Sequence, residues 1–155
     1  MTRARPLFAW LAAAYLGVVG FVTLGPTPWR TRAPLDDYDV LSPSTWLDDA
    51  TWTRLASGEF VANILLFVPL GILLRLAFPR ATWLGATVIA GGISVVIEIV
   101  QMGTPRVSDP RDLLANTAGA LVGALVVAVG AGIRRASARG ARREVARERA
   151  YQRSG

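Results

Sequence analysis

Ile97-Glu98-Ile99-Val100-Gln101-Met102 closes one long apolar run, and Leu113-Leu114-Ala115-Asn116-Thr117-Ala118-Gly119 opens the next. Between them lies a short turn carrying Arg106, Asp109, Arg111 and Asp112. A carboxylate, Glu98, thus sits inside an apolar run, and an amide, Asn116, sits just inside its neighbour. Two apolar segments joined by a polar hairpin read as a pair of membrane-spanning helices. Ionisable groups within such segments are costly and mark a functional site by default.

Four apolar stretches occur in all: Pro6–Leu24, Phe60–Phe78, Thr82–Met102 and Leu113–Ile133. Each is close to the roughly 20 residues needed to cross a hydrocarbon core. The chain of 155 residues is 52% apolar, with a mean hydropathy of +0.39. That exceeds the usual composition of a soluble domain. The expected fold is all-α, an integral membrane bundle of four transmembrane helices. The first stretch follows Arg3 and Arg5 as a signal peptide would, but it is too long for that and no Ala-x-Ala site follows, so it is read as a retained helix.

Cysteine and histidine are both absent. Their absence excludes disulfides, imidazole catalysis and Cys/His metal centres. No phosphate-cradling Gly-rich loop occurs either. No cofactor and no resident metal are expected.

All 17 basic residues are arginine, and the net charge is +6. Arginine lies at the N-terminus, at Arg80 and in the C-terminal segment, where eight Arg face only Glu144 and Glu148. The loop 25–59 has three Arg against six acids. Positive-inside reasoning places both termini in the cytoplasm and the polar hairpin outside. Residues 1–133 are then a four-helix domain with an extracytoplasmic loop at 25–59, and residues 134–155 an Arg-rich cytoplasmic tail, in the plasma (cytoplasmic) membrane. Trp10 and Trp83 fall near the inner interface, and Trp29, Trp46 and Trp52 in the outer loop. There, Ser42-Pro43 predicts a short surface helix. The tail is assigned to topology and contact with anionic membrane lipid rather than to nucleic acid.

Thr87, Gly91, Ser94, Glu98 and Gln101 recur at spacings of three and four and share one helical face, as do Asp112, Asn116, Gly119 and Gly123. The two stripes are expected to face each other as a tight small-residue pair that opens into a polar cup outside. Glu59 and Asn63 begin the second span on one face, and Pro69 and Gly71 lie at its middle, where a kink would be tolerated. Counted from their helix ends, Asn63, Glu98 and Asn116 lie at one depth.

The hairpin also carries plain helix-start chemistry. Asp109 before Pro110 is an N-cap, and Asp112 stands at the capping-box position. Glu98 and Gln101 are not at a helix start, so for Glu98 a buried structural carboxylate is weighed against a site residue.

These residues resemble the VanZ-like membrane protein family. Its Asn-x-x-x-Phe-x-Pro-x-Gly segment stands here as Asn63, Phe67, Pro69 and Gly71. Its Glu-x-x-Gln stands as Glu98 and Gln101, followed by Arg106, Asp109, Asp112, Asn116 and Gly119. The resemblance is strongest over residues 60–123 and implies a bacterial cell-envelope protein from a family associated with resistance to the glycopeptide teicoplanin.

Three functions are consistent with this pattern. In the first, Asn63, Glu98, Gln101, Arg106, Asp109, Asp112 and Asn116 form an outward cup for a lipid headgroup, an envelope lipid precursor or a lipoglycopeptide. Arg106 and Arg111 would pair with phosphate or carboxylate there. In the second, Glu98 is the general acid or base of an intramembrane enzyme acting on a lipid-linked or cell-wall substrate, with an oxygen-liganded Mg²⁺ as a possible aid. In the third, the polar layer only fixes helix register.

Overall fold

In the computed structural model, residues 4–25, 40–53, 57–102 and 108–154 are described. Among them every regular element is helical. Four long helices form the bundle: α1 (Ala4–Leu24), α4 (Gly58–Ala77), α5 (Trp83–Met102) and α6 (Pro110–Ser154). Two short ones, α2 (Pro43–Leu47) and α3 (Asp49–Trp52), lie between α1 and α4. All four long helices are long and apolar enough to cross a membrane.

Local chemistry sets their ends. Ser57 caps α4, its side chain accepting from the Phe60 amide at 3.2 Å. Phe78 closes α4 by donating to Leu74 O, and Pro79 follows where the helix cannot continue. Thr82 accepts from the Gly85 amide at 3.1 Å and starts α5.

The bundle is packed for an apolar solvent. Its interior is built from small or polar side chains, among them Ala86, Ala90, Ser94, Ala115, Ala120 and Ala124, together with Phe67 and Leu70 of α4. Large apolar residues such as Phe21, Leu65, Val88 and Val129 point outwards. In lipid, burial of large apolar groups gives no driving force between helices, so close contact of small residues takes over.

α4 is the central helix and packs against α1, α5 and α6, most extensively against α6. A Cβ added at Gly119 would stand 2.2 Å from Ile64 O, and one at Gly123 would stand 2.1 Å from Val68 O. The glycines of α6 therefore seat α4, not α5, which corrects the facing-stripe expectation. Both stripes fall on buried faces as expected, Gly91 half-buried against the Thr117 side chain of α6, and their polar ends do meet, through Asn116 and Ser94. Pro69 lies inside α4 and deprives Leu65 O of its usual i+4 donor. Next to that gap, the Tyr15 hydroxyl of α1 donates to Leu66 O at 3.0 Å.

α1 and α5 end, and α4 and α6 begin, at the same end of the bundle. The α2–α3 segment sits at this end too, with α3 resting against α6. Pro43 begins α2 after Ser42, as the sequence predicts. Trp46 donates to Val40 O at 2.7 Å, Trp52 donates to Trp46 O at 3.1 Å, and the Thr51 hydroxyl donates to Thr45 O at 2.8 Å. The two indoles thus stitch the segment to itself, 6.0 Å apart. Trp29 lies outside the described residues.

α6 does not stop where its apolar run stops. It continues through the Arg-rich segment as one helix of 45 residues, about 67 Å long. Arg, Ala and Glu are good helix formers, and no proline interrupts them. The boundary at Ile133 is one of composition alone.

Candidate functional site

The start of α6 determines what the end of the bundle looks like. Asp109 is its N-cap. One carboxylate oxygen accepts the Arg111 amide at 2.9 Å, and Asp109 O accepts the Asp112 amide at 2.9 Å. The Arg111 guanidinium folds back onto the same carboxylate through Nε and Nη2. Both members of this pair are mostly shielded, with side chains 19% and 12% exposed. Arg111, expected to face a ligand, is engaged within its own turn.

A capping box would have Asp112 accept the backbone amide of Asp109. That amide instead donates to Oε2 of Glu98 on α5, at 3.0 Å. Glu98 is 1% exposed, and a carboxylate there closes the α5–α6 hairpin by satisfying a helix-start donor that lipid could not satisfy. Asp112 and Asp109 stand close enough to interact with it electrostatically, and Ser108 lies beside it.

Gln101, one turn further along α5 and 2% exposed, makes a second interhelix tie. Its Nε2 donates to Thr23 O at the end of α1, at 2.9 Å, across 78 positions of sequence. The last carbonyls of a helix lack partners, so the amide completes α1. Thr23 turns its own hydroxyl back to Val19 O at 2.8 Å. Gln101→Leu, which keeps the volume and loses the donor, is expected to destabilise the bundle by about 1–2 kcal/mol. The end of α1 would loosen. Because the chain lacks cysteine, Val19→Cys, buried in the intact bundle, reports this as faster maleimide labelling. Unchanged labelling would mean that the tie does not hold α1.

Asn116 is placed one turn deeper than the depth count predicts. It is 2% exposed, and its Nδ2 donates to Ser94 Oγ at 2.9 Å, four residues before Glu98 on α5. Its Oδ1 has no partner among the described residues, whereas the buried Ser108 hydroxyl lies against the Glu98 carboxylate. Asn63 is half-buried on α4, beside Ile64, which meets Gly119. Arg106 lies outside the described residues.

The structure therefore brings Glu98, Gln101, Asp109, Asp112 and Asn116 together as a buried layer at one end of the bundle. Ser94, Ser108 and Thr23 belong to the same layer. In the sequence Ser94 reads as a member of a stripe and, with Ser108, as one of few hydroxyls that could serve as a nucleophile, and Thr23 carries no signal at all. Among the described residues no group of three or more His, Cys, Asp or Glu is placed to hold a metal ion.

The family model described as VanZ/LLP1 matches residues 12–131. No curated protein and no solved structure matches the chain.

Proposed function

The chain belongs to the VanZ/LLP1 family, and we propose that it acts in the cell envelope by holding the polar headgroup of an amphiphile at the end of the bundle where α4 and α6 begin. Four membrane-spanning helices and the family match support the setting. The observation that carries the binding proposal is Asn116 Oδ1, a buried acceptor with no partner among the described residues. A layer that served packing alone would satisfy its polar groups, because each orphan costs about 1–3 kcal/mol.

An acceptor in an acid-rich layer suits a donor-bearing headgroup: a hydroxyl, amide or ammonium. Sugar-bearing lipids, envelope lipid precursors and glycopeptides such as teicoplanin carry such donors. In this proposal Asn116, Ser108 and Asn63 meet the ligand, and Arg106 pairs with its phosphate or carboxylate. Glu98 and Gln101 position the helices around it. The termini are cytoplasmic and the layer faces out of the cell, in the plasma membrane.

Arg106→Ala is expected to reduce protection of a teicoplanin-sensitive host several-fold without lowering the amount of inserted protein. Asn116→Leu also loses the bond to Ser94, so its protection is compared with wild type at equal amounts of folded protein, where it too is expected to fall. Full protection by both variants would overturn the binding proposal.

A second reading, that the layer fixes helix register, draws support from the ties Asp109–Glu98 and Gln101–Thr23. Intramembrane acid–base catalysis by Glu98 draws less support, because that carboxylate already holds a backbone amide.

A further inference from the structure

At the other end of the bundle, α6 leaves its apolar run at Ile133 and goes on as a helix whose side chains at 134–146 are exposed. At about 100° per residue, Arg135, Arg139 and Arg142 fall on one side of it, with Arg149 two turns further along. Arg134 and Arg143 flank that side, and Glu144 and Glu148 lie on the opposite one. Arg147 falls nearer the glutamates, so it is the arginines closest to the membrane that share a side.

Their heights matter as much as their side. With a rise of about 1.5 Å per residue, Arg139 stands about 9 Å beyond Ile133, Arg142 and Arg143 about 14–15 Å, and Arg149 about 24 Å. The headgroup zone is about 5–7 Å thick in each leaflet, and the membrane potential fades over a Debye length of about 8 Å. The first five arginines therefore stand within reach of headgroup phosphates on an upright helix, and Arg149 stands beyond it. The face opposite the arginines carries two glutamates and lacks the apolar stripe with which a helix lies in the membrane plane.

We propose that Arg135, Arg139 and Arg142, flanked by Arg134 and Arg143, bind the phosphates of anionic lipid headgroups as α6 emerges from the membrane. The occupant is argued from charge complementarity and height. The lipid surface surrounds the helix at the level where the arginines begin, so no encounter step is needed.

The test uses the full-length protein in nanodiscs of equimolar phosphatidylglycerol and phosphatidylcholine, with retained lipids counted by native mass spectrometry. Both leaflets are identical, so the result does not depend on insertion direction. Wild-type protein is expected to retain phosphatidylglycerol preferentially, and the triple variant R135Q/R139Q/R142Q to lose that preference by on the order of tenfold or more. Arg149→Gln should leave it unchanged, and 1 M salt should weaken it in the wild type. The three side chains are exposed, so the bundle's unfolding temperature serves as the control for folding. Undiminished preference in the triple variant would overturn the proposal. Equal loss from Arg149→Gln would overturn it as well. So would tighter binding of a single-stranded oligonucleotide than of phosphatidylglycerol vesicles, which would assign the face to nucleic acid.

Discussion

Gly123→Val is expected to unseat α6 from α4 and leave little folded protein. A Cβ at Gly123 would stand 2.1 Å from Val68 O and 2.9 Å from Ile72 N. Both are backbone atoms of α4, so no rotamer change can make room. Gly119 meets the same obstacle at Ile64 O, and Gly71 of α4 meets it at Ala120 O. Three glycines over two turns thus let the two helices touch backbone to backbone, a contact that also brings Cα–H groups near carbonyl oxygens. Adding bulk forces the helices apart along their most extensive interface, and the Asn116–Ser94 bond, made from the same helix, would have to stretch with it. The expected loss is about 3 kcal/mol or more, and Gly119→Val should behave alike. Gly92 on α5 has nothing within 4 Å of an added Cβ. Gly92→Ala should therefore leave the unfolding temperature unchanged or raise it, by up to about 1 kcal/mol of helix propensity. Thermal unfolding of the purified variants in detergent separates these outcomes. A Gly123→Val protein as stable as the wild type would mean that α4 and α6 are not in backbone contact.

These contacts mark where the sequence stops being informative. The Gly119-x-x-x-Gly123 pattern announces a close helix neighbour but does not say which one, and the natural guess was the next helix in the hairpin. α4 takes the place because its own Gly71 offers the matching gap. Likewise Gln101 is legible as a polar group on a buried face, while its partner is a backbone carbonyl of Thr23, and backbone groups leave no trace in a sequence. The same holds for Glu98 and the amide of Asp109. The cap at Asp109 could be read because the Asp-Pro pair fixes it locally. The four spans could be read because apolar length is a property of each segment alone. The family resemblance, strongest over residues 60–123, extends in the family match to residues 12–131. The count of depth failed for Asn116 because it assumed level helix ends. The Asp109–Glu98 bond sets the start of α6 level with Glu98 itself, so Asn116, two turns into α6, meets Ser94 instead.

Glu98 then becomes the position where structure and chemistry can be separated by two substitutions. Glu98→Leu puts an apolar side chain of similar volume in its place and removes the acceptor. The Asp109 amide, at a site only 8% exposed, would be left without its partner at the start of a helix. The expected cost is about 2–4 kcal/mol, the range for losing a charge-assisted bond and stranding its donor. Glu98→Gln keeps a carbonyl oxygen that can accept the same amide. It keeps the size and the acceptor, so its stability should stay within about 1 kcal/mol of the wild type. Unfolding midpoints read the first difference, and protection of a teicoplanin-sensitive host reads the second. If Glu98 is a positioning residue, protection should follow stability: lost with leucine, kept with glutamine. If it transfers a proton, protection should vanish with glutamine while the fold survives. Equal stability of the leucine variant and the wild type would remove the ground for both, because the hairpin would then be closed by something other than this carboxylate.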